Sequence, residues 1–174
     1  MKILSFGAST SSESINRQLA RFAANQIPDA RVTDLDLRSF DLPMYSSDEE
    51  QANGIPADAR RFVELIRDHD SVVISLVEHN GSYTAAFKNF YDWASRVDQK
   101  VWQGKPMLLL STSPGPRGGA TVMESAKTTF PRMGADLRGS VSLPSFYDNF
   151  DANQGVLHAD LSTQLQKAIA AMHP

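Results

Sequence analysis

The stretch Gly7-Ala8-Ser9-Thr10-Ser11-Ser12-Glu13-Ser14-Ile15-Asn16 carries five hydroxyl side chains and no lysine or arginine. It stands between an apolar, strand-like run and a helical pattern, which suits it to hold an anion. The first N–H groups of a helix have no intrahelical acceptor, the helix dipole adds positive charge there, and hydroxyls supply neutral donors. Taken alone, the same loop also reads as a serine-rich turn with Ser14 as the N-cap. Neither familiar phosphate loop fits. Gly104-Lys105 is followed by Pro106 rather than Ser or Thr, and Gly7 stands alone where the dinucleotide fingerprint needs three glycines.

Two further loops stand out. Glu78-His79-Asn80-Gly81-Ser82-Tyr83 contains Asn-Gly, a turn signal whose exposed amides could face a planar heterocycle. In Ser113-Pro114-Gly115-Pro116-Arg117-Gly118-Gly119 the prolines fix the path and the glycines remove side-chain bulk, which suits close approach of a flat ligand. No metal is expected, because His69, His158 and His173 stand at no ligand spacing to His79. The chain has no cysteine, which excludes disulfides, thiolate metal sites and cysteine nucleophiles. It also lacks the Gly-x-Ser-x-Gly elbow of serine hydrolases.

The elements that must position these loops are legible as alternating patterns. Five strand segments are predicted: Ile3–Phe6, Val32–Leu37, Ser71–Val77, Met107–Ser113 and Leu137–Leu143. Amphipathic stripes run between and after them. They are Ile15, Leu19, Phe22 and Ala23; Ala59, Phe62, Val63 and Ile66; Phe87, Phe90, Tyr91 and Ala94; Met123, Ala126 and Phe130; and Leu157, Leu161, Leu165, Ala168, Ile169 and Met172. Strand–helix alternation argues a parallel sheet covered on both faces. The first, third and fourth segments are continuously apolar, as doubly buried strands are, whereas the second and fifth alternate, as half-exposed strands do. That places the second and fifth at the edges and predicts an α/β, flavodoxin-like, doubly wound sheet of order 2-1-3-4-5, with ligands at the carboxyl ends of its strands. The stretch from Arg38 to Pro56, with Asp48, Glu49 and Glu50, reads as a long solvated loop.

With 174 residues the chain is expected to form one domain over 1–174. Seventeen basic against twenty acidic residues leave a net charge of −3, no footprint for nucleic acid or an anionic membrane. Apolar runs are of strand length and the N-terminus turns polar too soon for a signal peptide, so a cytoplasmic protein is expected. The aromatic Phe87–Trp93 helix reads as core or subunit interface, and an oligomer is expected from it.

The three loops in this order resemble the NADPH-dependent FMN reductase family, which includes chromate reductases, quinone reductases and azoreductases. The most specific matches are Glu78-His79-Asn80-Gly81-Ser82 with Phe87-Lys88-Asn89 and Asp92-Trp93, and Gly104-Lys105-Pro106 with Ser113-Pro114-Gly115 and Gly118-Gly119. The resemblance implies noncovalent FMN, with NADPH or NADH as co-substrate, in a homodimer or homotetramer. Ser9, Ser11, Ser14, Ile15 and Asn16 would hold the FMN phosphate. Glu78, His79, Asn80 and Gly81 would lie along the isoalloxazine, with Ser113, Pro114, Gly115, Gly118 and Gly119 at its other edge. No side chain is expected to act as acid or base, because the flavin carries the chemistry. The implied activity is ping-pong hydride transfer from nicotinamide to FMN, then to a quinone, azo, nitroaromatic, metal-ion or flavin acceptor. A flavodoxin-type electron carrier is the alternative. This chain has no arginine in its first loop, where many members do, and His79 stands where many have tyrosine.

Overall fold

The computed structural model describes residues 1–172. The order of elements is β1 (Lys2–Gly7), α1 (Ile15–Asn25), β2 (Arg31–Asp34), α2 (Ser47–Asn53), α3 (Ala57–Asp68), β3 (Ser71–Leu76), α4 (Ala85–Val97), β4 (Pro106–Thr112), α5 (Ala120–Thr129), β5 (Asp136–Leu143), α6 (Phe146–Asn149), β6 (Phe150–Asp151), β7 (Gly155–Val156) and α7 (Ala159–Ala170). The five longer strands form one parallel sheet in the order β2-β1-β3-β4-β5, as the burial pattern predicts.

The sheet is buried on both faces because neighbouring strand residues point to opposite sides. Leu4, Phe6, Val72, Ile74, Met107 and Leu109 pack under α3, α4 and α5. Ile3, Val73, Leu108 and Leu110 pack under α1 and α7 on the other face. β3 is buried at every position, whereas β2 is at best half-buried.

Several expectations are corrected. Strand β2 stops at Asp34 because Asp36 turns its carboxylate onto the Arg38 N–H at 2.9 Å and opens a 3-10 turn over Leu37–Ser39. The supposed loop from Arg38 to Pro56 contains α2. Ser46 caps α2 by accepting from Glu49 N at 3.0 Å, and three acidic residues occupy its first turn. The segment is largely exposed, as expected, yet it is strapped down. Trp93 Nε1 donates to the Pro43 carbonyl at 2.7 Å, Arg96 pairs with Glu50 at 2.9 Å, and Phe40 and Leu42 pack on the core. Leu157 lies outside α7 and is 48% exposed.

The aromatic helix is also resolved. Phe87, Phe90 and Tyr91 are buried within this chain in a cluster with Phe130 and Trp102, and Trp93 is buried edge-on against Tyr45. They are core residues and do not argue for a subunit interface. Burial among these rings raises the Tyr91 phenol above its ordinary range. Among the described residues no helix is long and apolar enough to cross a membrane, and no cluster of three or more potential metal ligands occurs. His173 lies outside the described residues.

Candidate functional site

The carboxyl ends of β1, β3 and β4 open into one cleft of about 270 Å³. Its walls bring together Ser9, Ser11, Ser14, Ile15, Asn16, Glu78, His79, Ser113 and Pro114 from the predicted set. Gly115 and Gly119 line an adjoining lobe that shares Glu78 and Ser113. Asn80, Gly81 and Gly118 line neither. Asn80 and Gly81 form the exposed tip of a tight turn with φ of 53° and 75°, closed by the paired backbone bonds of His79 and Ser82.

The first loop is held close to the sheet by Gly7. A Cβ there would sit 2.4 Å from Arg17 N and 2.9 Å from the Asn16 carbonyl carbon, so α1 begins hard against the end of β1. Ser14 Oγ accepts from Arg17 N at 3.2 Å and is the helix N-cap. The backbone N–H groups of Ser12, Glu13, Ser14, Ile15 and Asn16 find no acceptor among the described residues. A row of free donors at the start of an eleven-residue helix is what an anion requires. Arg17 cannot serve instead, because its guanidinium is bound to Asp34 at 3.0 Å and Asp36 at 2.7 Å. The Arg38 side chain, with help from Arg17, holds the Asp36 carboxyl well below the usual carboxylate range. Charge on the anion is therefore met by amides and hydroxyls, not by a paired cation.

Two predicted roles change. Asn16 turns its side chain away from the ligand space and into the sheet, where it is 2% exposed. It accepts from Ser75 Oγ at 2.7 Å and Thr112 N at 3.0 Å, and donates to Thr112 O at 3.1 Å. Only its backbone N–H is free for an anion. Gly118 and Gly119 of the third loop answer to the protein, whereas Gly115 is open. Gly118 has φ of 57°, and a Cβ there would lie 2.8 Å from the Leu143 carbonyl and Pro144 N, so no side chain fits whatever the ligand.

Glu78 joins two loops. Gly119 starts α5 without a capping side chain, and the Glu78 carboxylate accepts from Val122 N at 2.9 Å in its place. It also lies 3.7 Å from Arg117, whose side chain is largely exposed.

Four contributors escaped the sequence reading. Val77, Glu13 and Thr112 line the cleft, as does Tyr147 from α6, which follows β5. Tyr147 is 71% exposed, on a turn tied to the third loop by Ser145 N donating to Gly115 O and Phe146 N to Ser113 O. The carboxyl end of the fifth strand belongs to the same sheet edge as the other three. That placement was the available signal.

Known proteins resemble this chain in sequence and in fold. A quinone reductase of Escherichia coli K12 is 41% identical over 80 residues, covering 46% of this chain and 43% of that protein. The chain thus matches less than half the length of that relative. A 2-hydroxy-1,4-benzoquinone reductase of a Burkholderia species is 32% identical over 170 residues, covering 95% of this chain and 91% of that protein. FerB, a flavoenzyme NAD(P)H:(acceptor) oxidoreductase of Paracoccus denitrificans, superposes with a TM-score of 0.77 at 26% identity, covering 98% of this chain and 94% of that one. Residues 1–148 match the family described as NADPH-dependent FMN reductase. The chain therefore belongs to the NADPH-dependent FMN reductase family, a family of oxidoreductases whose cofactors are FMN and NAD(P)H.

Proposed function

We propose that this chain is an NAD(P)H-dependent FMN oxidoreductase that reduces small planar acceptors, quinones first among them. The observation that carries the reading is the run of unpartnered N–H groups from Ser12 to Asn16, opening into a cleft walled by hydroxyls. Those groups and the hydroxyls of Ser9 and Ser11 bind the terminal phosphate. Glu78 and His79 flank one edge of the ring system, and Ser113 to Gly115 the other. FMN held there supplies hydride acceptance from a reduced nicotinamide and its return to an acceptor. The exposed His79 and the Ser113–Gly115 wall leave one open face for both partners in turn, which gives ping-pong kinetics. The two relatives described as quinone reductases support the choice of acceptor.

The reading is tested by loading the purified chain with FMN and mixing it anaerobically with NADPH in a stopped-flow instrument. Bleaching of the flavin band, reversed by a benzoquinone, is the expected result. Bleaching with no return to quinone would assign the chain a different acceptor, and no bleaching with either nicotinamide would overturn the activity.

The same measurement weighs His79. Direct hydride transfer asks no residue to move a proton, so His79 shapes and flanks the ring. Loss of one net hydrogen bond of about 1 kcal/mol changes a rate by less than tenfold, whereas general acid–base roles contribute roughly 10²–10⁴-fold. His79→Tyr should keep bleaching by NADPH within about tenfold of the parent rate. A loss of three decades with FMN still bound, and a new pH dependence, would make the imidazole a proton donor.

A further inference from the structure

Below the cleft, buried polar side chains tie together the elements that carry its loops. Asn16 in the first turn of α1 reaches Ser75 on β3 and both backbone groups of Thr112 at the end of β4. Ser75 O accepts from Ala8 N at 2.8 Å, and Ala8 O accepts from Thr84 Oγ1 at 3.0 Å, where Thr84 is the N-cap of α4. Thr112 Oγ1 donates to the Leu143 carbonyl at 2.7 Å and carries the chain of bonds to β5. Asn16, Ser75 and Thr112 are each at most 2% exposed, and Thr84 is 6% exposed. None of these bonds points into the cleft.

Asn16 is the junction. Its backbone N–H belongs to the anion row, while its amide fixes Thr112, the residue immediately before the Ser113–Gly115 wall. An amide is suited to this post because one side chain can accept from a hydroxyl and an N–H and also donate to a carbonyl. Buried in low dielectric, such a network holds its members in one arrangement, and an unpaired member is expensive.

We infer that Asn16 is a positioning residue that couples the phosphate loop to the ring-binding wall, through its bonds to Ser75 and Thr112, rather than a side-chain ligand of the phosphate. This rests on the FMN-binding reading of the cleft. The two roles differ in what they do to a ligand without a phosphate. A phosphate ligand matters to FMN alone, whereas a residue that aligns both ends of the cleft matters to riboflavin as well.

The test is fluorescence titration of the full chain with FMN and with riboflavin, well below the melting temperature of every variant. Asn16→Ala should weaken both ligands by about tenfold, a similar factor for each. Ser75→Ala changes a buried strand residue that lines no part of the cleft, and conserves the fold as a small substitution. It should weaken both by about threefold, and the double variant should be no worse than Asn16→Ala alone, because the two share one bond. Riboflavin affinity untouched by Asn16→Ala, with FMN affinity lost, would make the side chain a phosphate ligand and overturn the proposal. Unchanged affinities in Ser75→Ala, or additive losses in the double variant, would overturn it too. A parent chain that binds neither ligand would instead overturn the cleft assignment, and the proposal with it.

Discussion

Ser14→Asp should lower FMN affinity by about 100-fold while changing riboflavin affinity by less than about threefold. Aspartate is as good an N-cap as serine, so the bond to Arg17 N and the start of α1 survive the change. What changes is charge. Ser14 lines the cleft beside the free N–H groups, and a carboxylate there stands within a few ångströms of the anion they hold. Two unit charges at 4 Å repel by about 4 kcal/mol at an effective dielectric constant of 20, more than enough for two decades. Arg17 cannot offset this, because Asp34 and Asp36 already hold it. Titrating both flavins into the variant reads the difference. Equal losses for FMN and riboflavin would place the phosphate elsewhere.

The second large effect is expected at Gly7, from sterics. In Gly7→Ala the added carbon meets Arg17 N at 2.4 Å, Arg17 Cα at 2.8 Å and the Asn16 carbonyl carbon at 2.9 Å. All three are backbone atoms of the first turn of α1, so no rotamer change relieves the contact. The helix start must move off the sheet, and the bonds of Asn16 to Ser75 and Thr112 go with it. Overpacking a close contact destabilises by roughly 1–3 kcal/mol, and the upper end is expected where only backbone can yield. Urea unfolding should show a midpoint lowered by that free energy divided by an unchanged slope, together with loss of measurable FMN binding. A variant as stable as the parent that still binds FMN would mean that α1 adjusts freely, and that its tight seating does not build the anion site.

Much of the architecture was legible because burial writes itself into strand composition. β3 and β4 are continuously apolar since both faces are covered, and β2 alternates since one is not. That contrast was enough to order the sheet and to name the strand ends where a ligand binds. Helix α2 was not legible, because its residues Ser47–Asn53 contain no apolar stripe. It is formed by a serine cap and an acidic first turn, and held by Glu50 and Arg96, which periodicity does not register. The buried aromatics of α4 were ambiguous for the opposite reason. A run of large apolar side chains looks alike whether its cover comes from the same chain or from another.

The site divides along the same line. The hydroxyl loop, the Asn80-Gly81 turn and the proline–glycine loop were visible in the sequence because local chemistry dictates them: helix starts need caps, tight turns need particular backbone angles, and free amides need anions. Residue types and spacing therefore determined the kind of site and the ends of the sheet that carry it. Which atoms face the ligand was decided by the tertiary structure alone. Asn16 and Glu78 have the chemistry of ligand contacts, yet their side chains bond to Thr112, Ser75 and Val122, partners 44 to 96 residues away in the chain. Gly118 could have been a bare surface for a flat ring, but the Leu143–Pro144 backbone fills the space beside it. A polar side chain bonds to whichever partner the packed elements bring within about 3 Å, and that partner is set by the docking of helix on sheet, which no local run of residues records.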